Sequence, residues 1–321
     1  MLYLKYDNSA MRDGIGAQAL RIVILKAVSD FFRCGYLNSP MTHINETFAD
    51  GYKNSAEIDL RLRQVNDFFR YGLTEESQTF STHKKIHLLT NKELLKLLLS
   101  NSIRGSDALA EVCLPFPILD RFPFVMNQTP RKFRMMHPDF FSEREALDVV
   151  VHLRMGYGEA VKQNAKGRYL PFDYYVDILN RLLKNEKITK SSRVVVHTDL
   201  PSTDTEWQIL TPNIQEELKT LGIKLKDNIF RVPGIDLSEV FSHRIKRDLE
   251  FRYCDDFFST LLDMSQAKLL VMGRSAFSYL AGLMNPNQVI WPNNHGHPKM
   301  TWWKSSIETG VDATKYRLIE G

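Results

Sequence analysis

The stretch that decides the fold class is "KLLVMGRSAFSYLAGLMNPNQVIWP", residues 268–292. Short apolar runs, "LLV" and "VIW", stand on either side of a segment with helical spacing of its apolar residues. Continuous apolar strands that alternate with helices are typical of a parallel sheet covered on both faces. The stretch therefore predicts a strand–helix–strand unit of an α/β protein.

The same alternation continues through the second half of the chain. Strands are predicted within residues 146–156, 192–199 and 228–234, and helices within 171–185, 211–222 and 255–267. Ligands of such sheets bind beyond the carboxyl ends of the strands. The residues that directly follow each apolar run are therefore the first candidates for a functional site.

The amino-terminal part predicts a second α/β lobe. The strand "LYLKY" (residues 2–6) precedes a G-x-G-x-x-A turn at residues 14–19 and a helix from about Ala17 to Arg33, an arrangement typical of a nucleotide-binding turn. "KKIHLLT" (84–90) predicts a strand and "NKELLKLLLSN" (91–101) a helix capped by Asn91. Five prolines between Leu114 and Pro138 predict an irregular segment that ends as a linker.

This organisation predicts two α/β lobes with parallel sheets. We expect an N-terminal lobe over residues 1–145 and a second lobe over residues 146–299. Residues 300–321 form a C-terminal tail that we expect to pack back on the N-terminal lobe.

Composition narrows the function classes. The chain has 321 residues, 43% apolar and 25% charged, with a net charge of +4, which is too small to indicate a nucleic-acid-binding protein. Three widely spaced cysteines indicate neither a disulfide framework nor a zinc ribbon. The sequence shows no apolar signal-peptide core and no run long enough to span a membrane. We therefore expect a soluble, cytoplasmic protein.

Polar and charged residues follow three of the predicted strands. His152 and Arg154 end the first of them, Thr198 and Asp199 end the second, and the segment from Gly273 to Ser275 ends the third. His152 and Arg154 are two positions apart, so both side chains project from the same face of the strand.

These strand ends offer the groups that bind a diphosphate. An arginine can hold a phosphate through two parallel charged hydrogen bonds, each worth roughly 1.5–3 kcal/mol. The helix that starts at Ser275 presents free N–H groups and a positive dipole end. Asp199 can accept from paired N–H donors such as a purine base edge. Together they predict a pocket for a nucleoside diphosphate.

The motifs resemble those of the GDP-fucose-dependent fucosyltransferases, a superfamily that includes the α-1,2 and α-1,6 enzymes, the rhizobial nodulation type and the protein O-fucosyltransferases. The resemblance is ordered and covers most of residues 148–292. It is carried by "VVVHLRMGYGEA" (149–160), "RYLPFDYYVDIL" (168–179), "VVVHTDLPSTDTEW" (194–207) and the stretch 255–292.

The resemblance implies a GT-B fold of two facing Rossmann-like lobes, in which the N-terminal lobe is the acceptor side and the C-terminal lobe binds the nucleotide sugar. It also implies an inverting, metal-independent transfer of a sugar, L-fucose from GDP-fucose, to a hydroxyl of a glycan or glycoconjugate acceptor. Glu159 lies where the α-1,6 enzymes carry a proposed base, with Asp13 and Glu46 as alternatives. Arg154 would stabilise the leaving diphosphate. The donor-binding residues it implies are Gly14, Ile15, Gly16, His152, Arg154, Thr198, Asp199, Arg274, Ser275, Ala276 and Phe277.

Two departures from the family pattern leave the donor sugar and the linkage open. Tyr157 follows Gly156 where the α-1,2 enzymes carry an acidic residue, and the third motif reads Arg274-Ser275-Ala276-Phe277-Ser278 instead of S-S/T-F-S. Another nucleotide sugar, such as UDP-xylose, and a non-catalytic sugar- or peptide-binding module remain alternatives.

An NAD-dependent oxidoreductase is the rival from another enzyme class. It would need an acidic residue at the end of a second strand, about 20 residues after the glycines, and Asp30 falls inside the predicted helix.

We expect no bound metal and no cofactor. His295 and His297 lack a third ligand at a recognisable spacing and are interpreted as solvated loop residues, and Asp255-Asp256 as a helix cap.

Overall fold

The computed structural model describes residues 1–8, 14–42, 55–71, 82–86, 91–99, 108–113, 115–154, 170–185, 187–189, 191–208, 229–232 and 234–316. Its contacts divide the chain into two units, with the main boundary between Thr129 and Pro130. This boundary falls within the proline-containing segment rather than at residue 145.

The first unit contains a four-stranded parallel sheet. Its strands are β1 (Leu2–Tyr6), β2 (Gly35–Leu37), β3 (Thr82–Ile86) and β4 (Ala108–Val112), in the order β2-β1-β4-β3. Its first three helices are α1 (Ile15–Phe32), α2 (Ser55–Phe68) and α3 (Asn91–Leu99). Strand β4 lies at the centre of the sheet but was not predicted, because the short run "ALAEV" carries a glutamate that interrupts its apolar pattern.

Helix α1 follows the glycine turn directly. Gly14 is extended (φ −64°, ψ 165°), and its carbonyl accepts from the N–H groups of Ala17 and Gln18. The helix therefore begins at Ile15, two residues earlier than predicted, and Gly16 lies in its first turn. It ends at Phe32, where Arg33 adopts a left-handed conformation.

The prediction of an irregular segment between Leu114 and Pro138 is wrong. This stretch contains α4 (Phe116–Arg121), a 3₁₀ helix (Pro123–Met126), α5 (Thr129–Met136) and α6 (Pro138–Ser142). Each of these helices carries its proline at the first or second position. Proline is tolerated there because the first N–H groups of a helix have no intrahelical partner.

The second unit contains a six-stranded parallel sheet. Its strands are β5 (Val149–Leu153), β6 (Val194–Thr198), β9 (Glu250–Tyr253), β10 (Leu269–Val271), β11 (Gln288–Trp291) and β12 (Lys304–Ser305), in the order β12-β11-β10-β5-β6-β9. The predicted α/β class and the parallel sheets of both units are therefore confirmed.

The two faces of this sheet differ in chemistry. Val149, Val151 and Leu153 belong to a large apolar cluster with α7 (Phe172–Lys184). The alternate positions, including His152, project from the other face, where α9 (Phe257–Gln266) and α10 (Ala276–Met284) supply their hydrogen-bond partners. The face opposite this cluster thus carries buried polar side chains, His152 and His197, near the carboxyl ends of β5 and β6.

Residues 205–253 depart from the predicted pattern. The predicted strand at 228–234 exists as β8 (Ile229–Val232), but it pairs antiparallel with β7 (Thr205–Gln208) in a separate two-stranded sheet. The edge place beside β6 is taken by β9, which was not predicted because "EFRY" alternates polar and aromatic residues. The predicted helix at 211–222 lies outside the described residues, and α8 (Leu237–Ser242) follows β8.

Residues 300–316, assigned from sequence to a tail on the N-terminal lobe, form part of the second unit. Strand β12 pairs with β11, and Trp303 beside it is buried. Two 3₁₀ helices, Ser306–Thr309 and Ala313–Lys315, follow, and the Tyr316 hydroxyl donates to Asp177 on α7.

No helix among the described residues is both long and apolar enough to cross a bilayer. Cys34, Cys113 and Cys254 form no disulfide bond with one another.

Candidate functional site

The three predicted strand ends are neighbours in the second sheet. Strand β5 lies between β10 and β6, and the register aligns Val151 with Val271 on one side and His152 with His197 on the other. The residues that follow β5, β6 and β10 therefore emerge at the same edge. The structure brings together the groups that the sequence places at separate positions.

Arg154 and Asp199 form an ion pair at this edge. The Arg154 guanidinium lies 2.9 Å from Oδ2 of Asp199, and the two side chains are 26% and 7% exposed. The buried carboxylate thus holds a guanidinium that still reaches solvent. Asp199 was predicted as an acceptor for a base edge, and in the structure its carboxylate pairs with the arginine.

Gly273 allows the end of β10 to approach the end of β5. A Cβ atom at this position would lie 2.6 Å from the backbone oxygen of His152 and 3.4 Å from Cβ of Arg154. A side chain is therefore excluded by backbone, not by a movable group. This close approach places Arg154 directly beside the segment that begins with Arg274 and Ser275.

Arg274 is a partly buried guanidinium without an ion-pair partner among the described residues. Burial lowers its pKa from the ordinary arginine value, which means that the charged form has lost part of its hydration without a compensating carboxylate. An anionic ligand would supply the missing charge.

Ser275 caps helix α10, as predicted. Its hydroxyl accepts from the N–H of Ser278 at 3.0 Å, so one of the free N–H groups at this end is used by the protein itself. Ala276 and Phe277 open the helix. The Phe277 ring stacks on Phe257, with ring centroids 4.9 Å apart, and meets the His152 ring edge-on at 5.7 Å.

His152 is almost fully buried and uncharged. Its Nδ1 lies 2.6 Å from the Ser278 hydroxyl oxygen. Burial, together with the charge of Arg154 and the neighbouring His197, lowers the pKa of His152 to about 3. The side chain is therefore a neutral imidazole at physiological pH.

A buried charge network beneath the site was not predicted. Asp263 on α9 is 1% exposed, and its carboxylate contacts Nε2 of His197 at 2.9 Å and the guanidinium of Arg144 at 3.2 Å. Arg252 on β9 also donates to it. The three partners come from separate parts of the chain, and no local motif connects them with Asp263. Only the position of His197 within a predicted strand was visible in the sequence.

Asp263, His197 and Asp255 offer three ligand-type atoms within 4.8 Å of one another. Two guanidinium groups already neutralise Asp263, and added positive charge would be unfavourable there. Asp256, next to Asp255, caps α9 by accepting from the N–H groups of Phe258 and Ser259, which confirms the predicted cap.

His295 and His297 are partly buried and not the solvated loop residues that the sequence suggested. Both rings pack against Tyr279, with centroids 5.2 and 5.0 Å away. Burial lowers the pKa of His295 to about 3, with further lowering by His297 and Arg274. The error arose because a pair of histidines separated by one glycine gives no indication in the sequence of the aromatic ring against which they pack.

The remaining candidate residues are placed as follows. Thr198 ends β6, is buried, and accepts from the N–H of Leu200 at 3.2 Å. Gly14, Ile15 and Gly16 form the start of α1 in the first unit, and their contact with a diphosphate stays a prediction. The candidate base Glu159 and its alternatives, Asp13 and Glu46, lie outside the described residues.

No protein-family model and no curated protein matches the sequence. Solved structures do match. POFUT1 in complex with GDP is 11% identical, with a TM-score of 0.44, over 94% of this chain and 97% of that chain. The NodZ α-1,6-fucosyltransferase soaked with GDP-fucose, an enzyme also solved from Bradyrhizobium, is 12% identical, with a TM-score of 0.36, over 92% and 97%. The E. coli heptosyltransferase WaaC with ADP-2-deoxy-2-fluoro heptose is 11% identical, with a TM-score of 0.35, over 95% and 92%.

These similar structures are all GT-B glycosyltransferases, the class of enzyme that the sequence motifs resemble. Identities of 11–12% and TM-scores below 0.5 carry no argument about the activity of this chain. The functional argument therefore rests on the residues at the sheet edge.

Proposed function

We propose that this protein is a glycosyltransferase that binds a nucleotide sugar at the carboxyl edge of the six-stranded sheet. The observation that carries the proposal is the contact between the ends of β5 and β10. There Gly273 lets Arg154 lie beside Arg274 and the start of helix α10. Two guanidinium groups and a helix N-terminus, all next to Gly273, are suited to binding a diphosphate.

The electrostatics of the edge support an anionic ligand. Arg154 is held by Asp199 yet keeps 26% of its surface exposed, and Arg274 lacks a counter-charge among the described residues. A bound diphosphate would supply negative charge and hydrogen-bond acceptors to both guanidinium groups. In this role Asp199 orients Arg154, and base recognition falls to other groups.

In the proposed reaction an acceptor hydroxyl attacks the anomeric carbon of the donor sugar. The bond from that carbon to the diphosphate oxygen breaks, and the configuration inverts. Arg154 and the N–H groups at the start of α10 stabilise the charge that develops on the leaving diphosphate, as preorganised donors do in other active sites. Glu159 is the proposed base that removes the acceptor proton. The proposed donor is GDP-fucose, and the acceptor is a glycan or glycoconjugate hydroxyl.

The first test is a thermal-shift series with GDP, UDP, ADP, CDP and NAD⁺. We expect GDP to stabilise the protein most, because GDP is the nucleotide of the proposed donor. A ligand at 100 times its Kd stabilises the folded state by about 2.7 kcal/mol. A larger shift with UDP would identify another donor, and a shift with NAD⁺ alone would overturn the proposal.

Two arginines on opposite ends of the sheet give a matched pair for this test. Arg154→Ala should remove the GDP shift, because two charged hydrogen bonds of roughly 1.5–3 kcal/mol each are lost. Arg193→Ala is the control, since Arg193 precedes β6 at the other end and pairs with Glu250 on the surface. Equal GDP shifts in both variants would refute the assignment of Arg154.

Catalysis is tested separately from binding. With GDP-fucose and a glycan acceptor, transfer should persist in EDTA and decrease strongly in Glu159→Gln, whereas GDP binding should not change in that variant. Binding without transfer under any condition would favour the non-catalytic module. Strict dependence on Mn²⁺ would contradict the metal-independent mechanism.

A further inference from the structure

A short hydrogen-bond chain connects the glycine of β10 to the histidine of β5. The backbone N–H of Gly273 donates to the hydroxyl oxygen of Ser278 at 3.1 Å, and the same oxygen lies 2.6 Å from Nδ1 of His152. Ser278 is fully buried on α10. Its hydroxyl has no other hydrogen-bond partner among the described residues.

The direction of the second bond follows from the protons available. Gly273 can only donate, so the Ser278 oxygen accepts there. If Nδ1 of His152 also donated to this oxygen, the buried hydroxyl proton would be left without an acceptor, which costs free energy. The consistent assignment is that the Ser278 hydroxyl donates to Nδ1, which leaves the proton of the ring on Nε2.

The charge state of the ring agrees with this assignment. Burial and the charge of Arg154 lower the pKa of His152 to about 3, so a single ring proton is present at neutral pH. No described residue forms a hydrogen bond with Nε2. His152 projects from the same face as Arg154, two residues before it, where an acceptor can come from a ligand.

We infer that Ser278 is a positioning residue that fixes His152 in its Nε2–H tautomer, so that Nε2–H donates to an oxygen acceptor of the bound nucleoside diphosphate. The ligand part of this inference rests on the proposed function, whereas the tautomer part concerns the free protein. Ser278 acts through His152 and does not itself contact the ligand.

The tautomer is tested first, without ligand, by ¹⁵N NMR of the histidine rings. The His152 signals are assigned by their loss in His152→Gln. We expect Nδ1 of His152 to be unprotonated and Nε2 to be protonated in the unmodified protein. A protonated Nδ1 would overturn the inference whatever the protein binds.

Ser278→Ala should shift the tautomer ratio toward Nδ1–H or produce a mixture. Ser278→Thr, which keeps the hydroxyl, should retain the original tautomer. Ser265→Ala is the matched control, because Ser265 is also fully buried in a helix and its hydroxyl donates to a backbone carbonyl, that of Leu262. An unchanged tautomer in a folded Ser278→Ala protein would contradict the role of Ser278. If that variant does not fold, the tautomers of the unmodified protein and of Ser278→Thr still test the inference.

GDP affinity tests the second part. We expect Kd for GDP, measured by calorimetry, to rise about tenfold in Ser278→Ala, the loss typical of one uncharged hydrogen bond, and to stay within twofold in Ser265→Ala. A changed tautomer with unchanged affinity would refute donation to the ligand. If the unmodified protein binds no nucleotide, the proposed function and the ligand part both fail, and the NMR result alone decides the tautomer.

Discussion

The carboxyl edges of the two parallel sheets have the same architecture but different chemistry. In the first unit, Asp7 follows β1 and its carboxylate accepts from the thiol of Cys113, which follows β4. Asn38 follows β2 and accepts from the N–H of Tyr71 at 3.4 Å. These polar groups take part in local hydrogen bonds that hold the loops at the ends of the strands.

The edge of the second sheet carries paired and unpaired charges instead. Arg154 meets Asp199, Arg274 has no carboxylate partner among the described residues, and a buried carboxylate at Asp263 lies beneath them. Two parallel sheets can therefore carry different chemistry at the same edge. The charged groups at the strand ends distinguish the edge that we propose as the main binding site from the edge of the first unit.

The largest expected difference between the two edges concerns their buried aspartates. Asp263→Asn should lower the free energy of unfolding by about 3 kcal/mol, since breaking a buried ion pair leaves uncompensated charge. The lower end of the usual range applies because Arg144 and Arg252 reach solvent. Asp7→Asn should cost less, about 1 kcal/mol, because the amide oxygen of the variant can still accept from the thiol of Cys113. Denaturant unfolding measures both, and equal losses would remove the contrast.

The second prediction concerns the effect of acid pH on two histidines of the second unit, the buried His152 and the partly buried His295. The folded-state pKa values of His152 and His295 are both lowered to about 3, whereas an unfolded histidine titrates near pH 6.5. Between about pH 6.5 and pH 3, these two histidines therefore bind protons in the unfolded chain but not in the folded chain. The free energy of unfolding should fall as pH decreases below about 6.5, by about 2 kcal/mol per histidine at pH 5.

Unfolding curves at pH 7, 6 and 5 measure this slope. His152→Gln should remove about half of the histidine contribution, even though it lowers stability at pH 7. A slope that is the same in the variant and the unmodified protein would show that His152 is not a buried neutral group.

The smallest predicted effect separates two glycines within the second unit. Gly273→Ala should destabilise by about 1–3 kcal/mol, the usual cost of overpacking, because its Cβ would meet the backbone oxygen of His152 at 2.6 Å. Gly296→Ala is the control, since no atom lies within 4 Å of a Cβ there. GDP affinity should fall only in Gly273→Ala, and a stable, fully binding variant would show that the close approach is not required.

The sequence predicted the second unit well because its strands are continuous apolar runs followed by distinctive polar groups. Strands β5, β6, β10 and β11, the cap at Ser275 and the grouping of Arg154 with the 273–275 segment all follow from such local patterns. Because parallel strands end at the same edge of their sheet, the predicted strands were sufficient to infer that these groups lie close together.

The features that were missed depend on distant or ambiguous signals. The His197–Asp263 contact joins residues 66 positions apart, and a single sequence does not reveal which buried partners meet. The strands β4 and β9 are short and carry charged residues, so their patterns resemble exposed segments. The proline-containing segment was misread because a proline was taken as a helix breaker where it occupies a first turn.

The pairing of β5, β6 and β9 has a consequence for how the chain folds. His152, His197 and Arg252 stand side by side across three strands, and a shift of one strand by a single residue would turn its polar side chains toward the apolar α7 layer. Such a misaligned sheet would place these polar side chains among valines and leucines, so the polar groups of the three strands also oppose misalignment during sheet assembly.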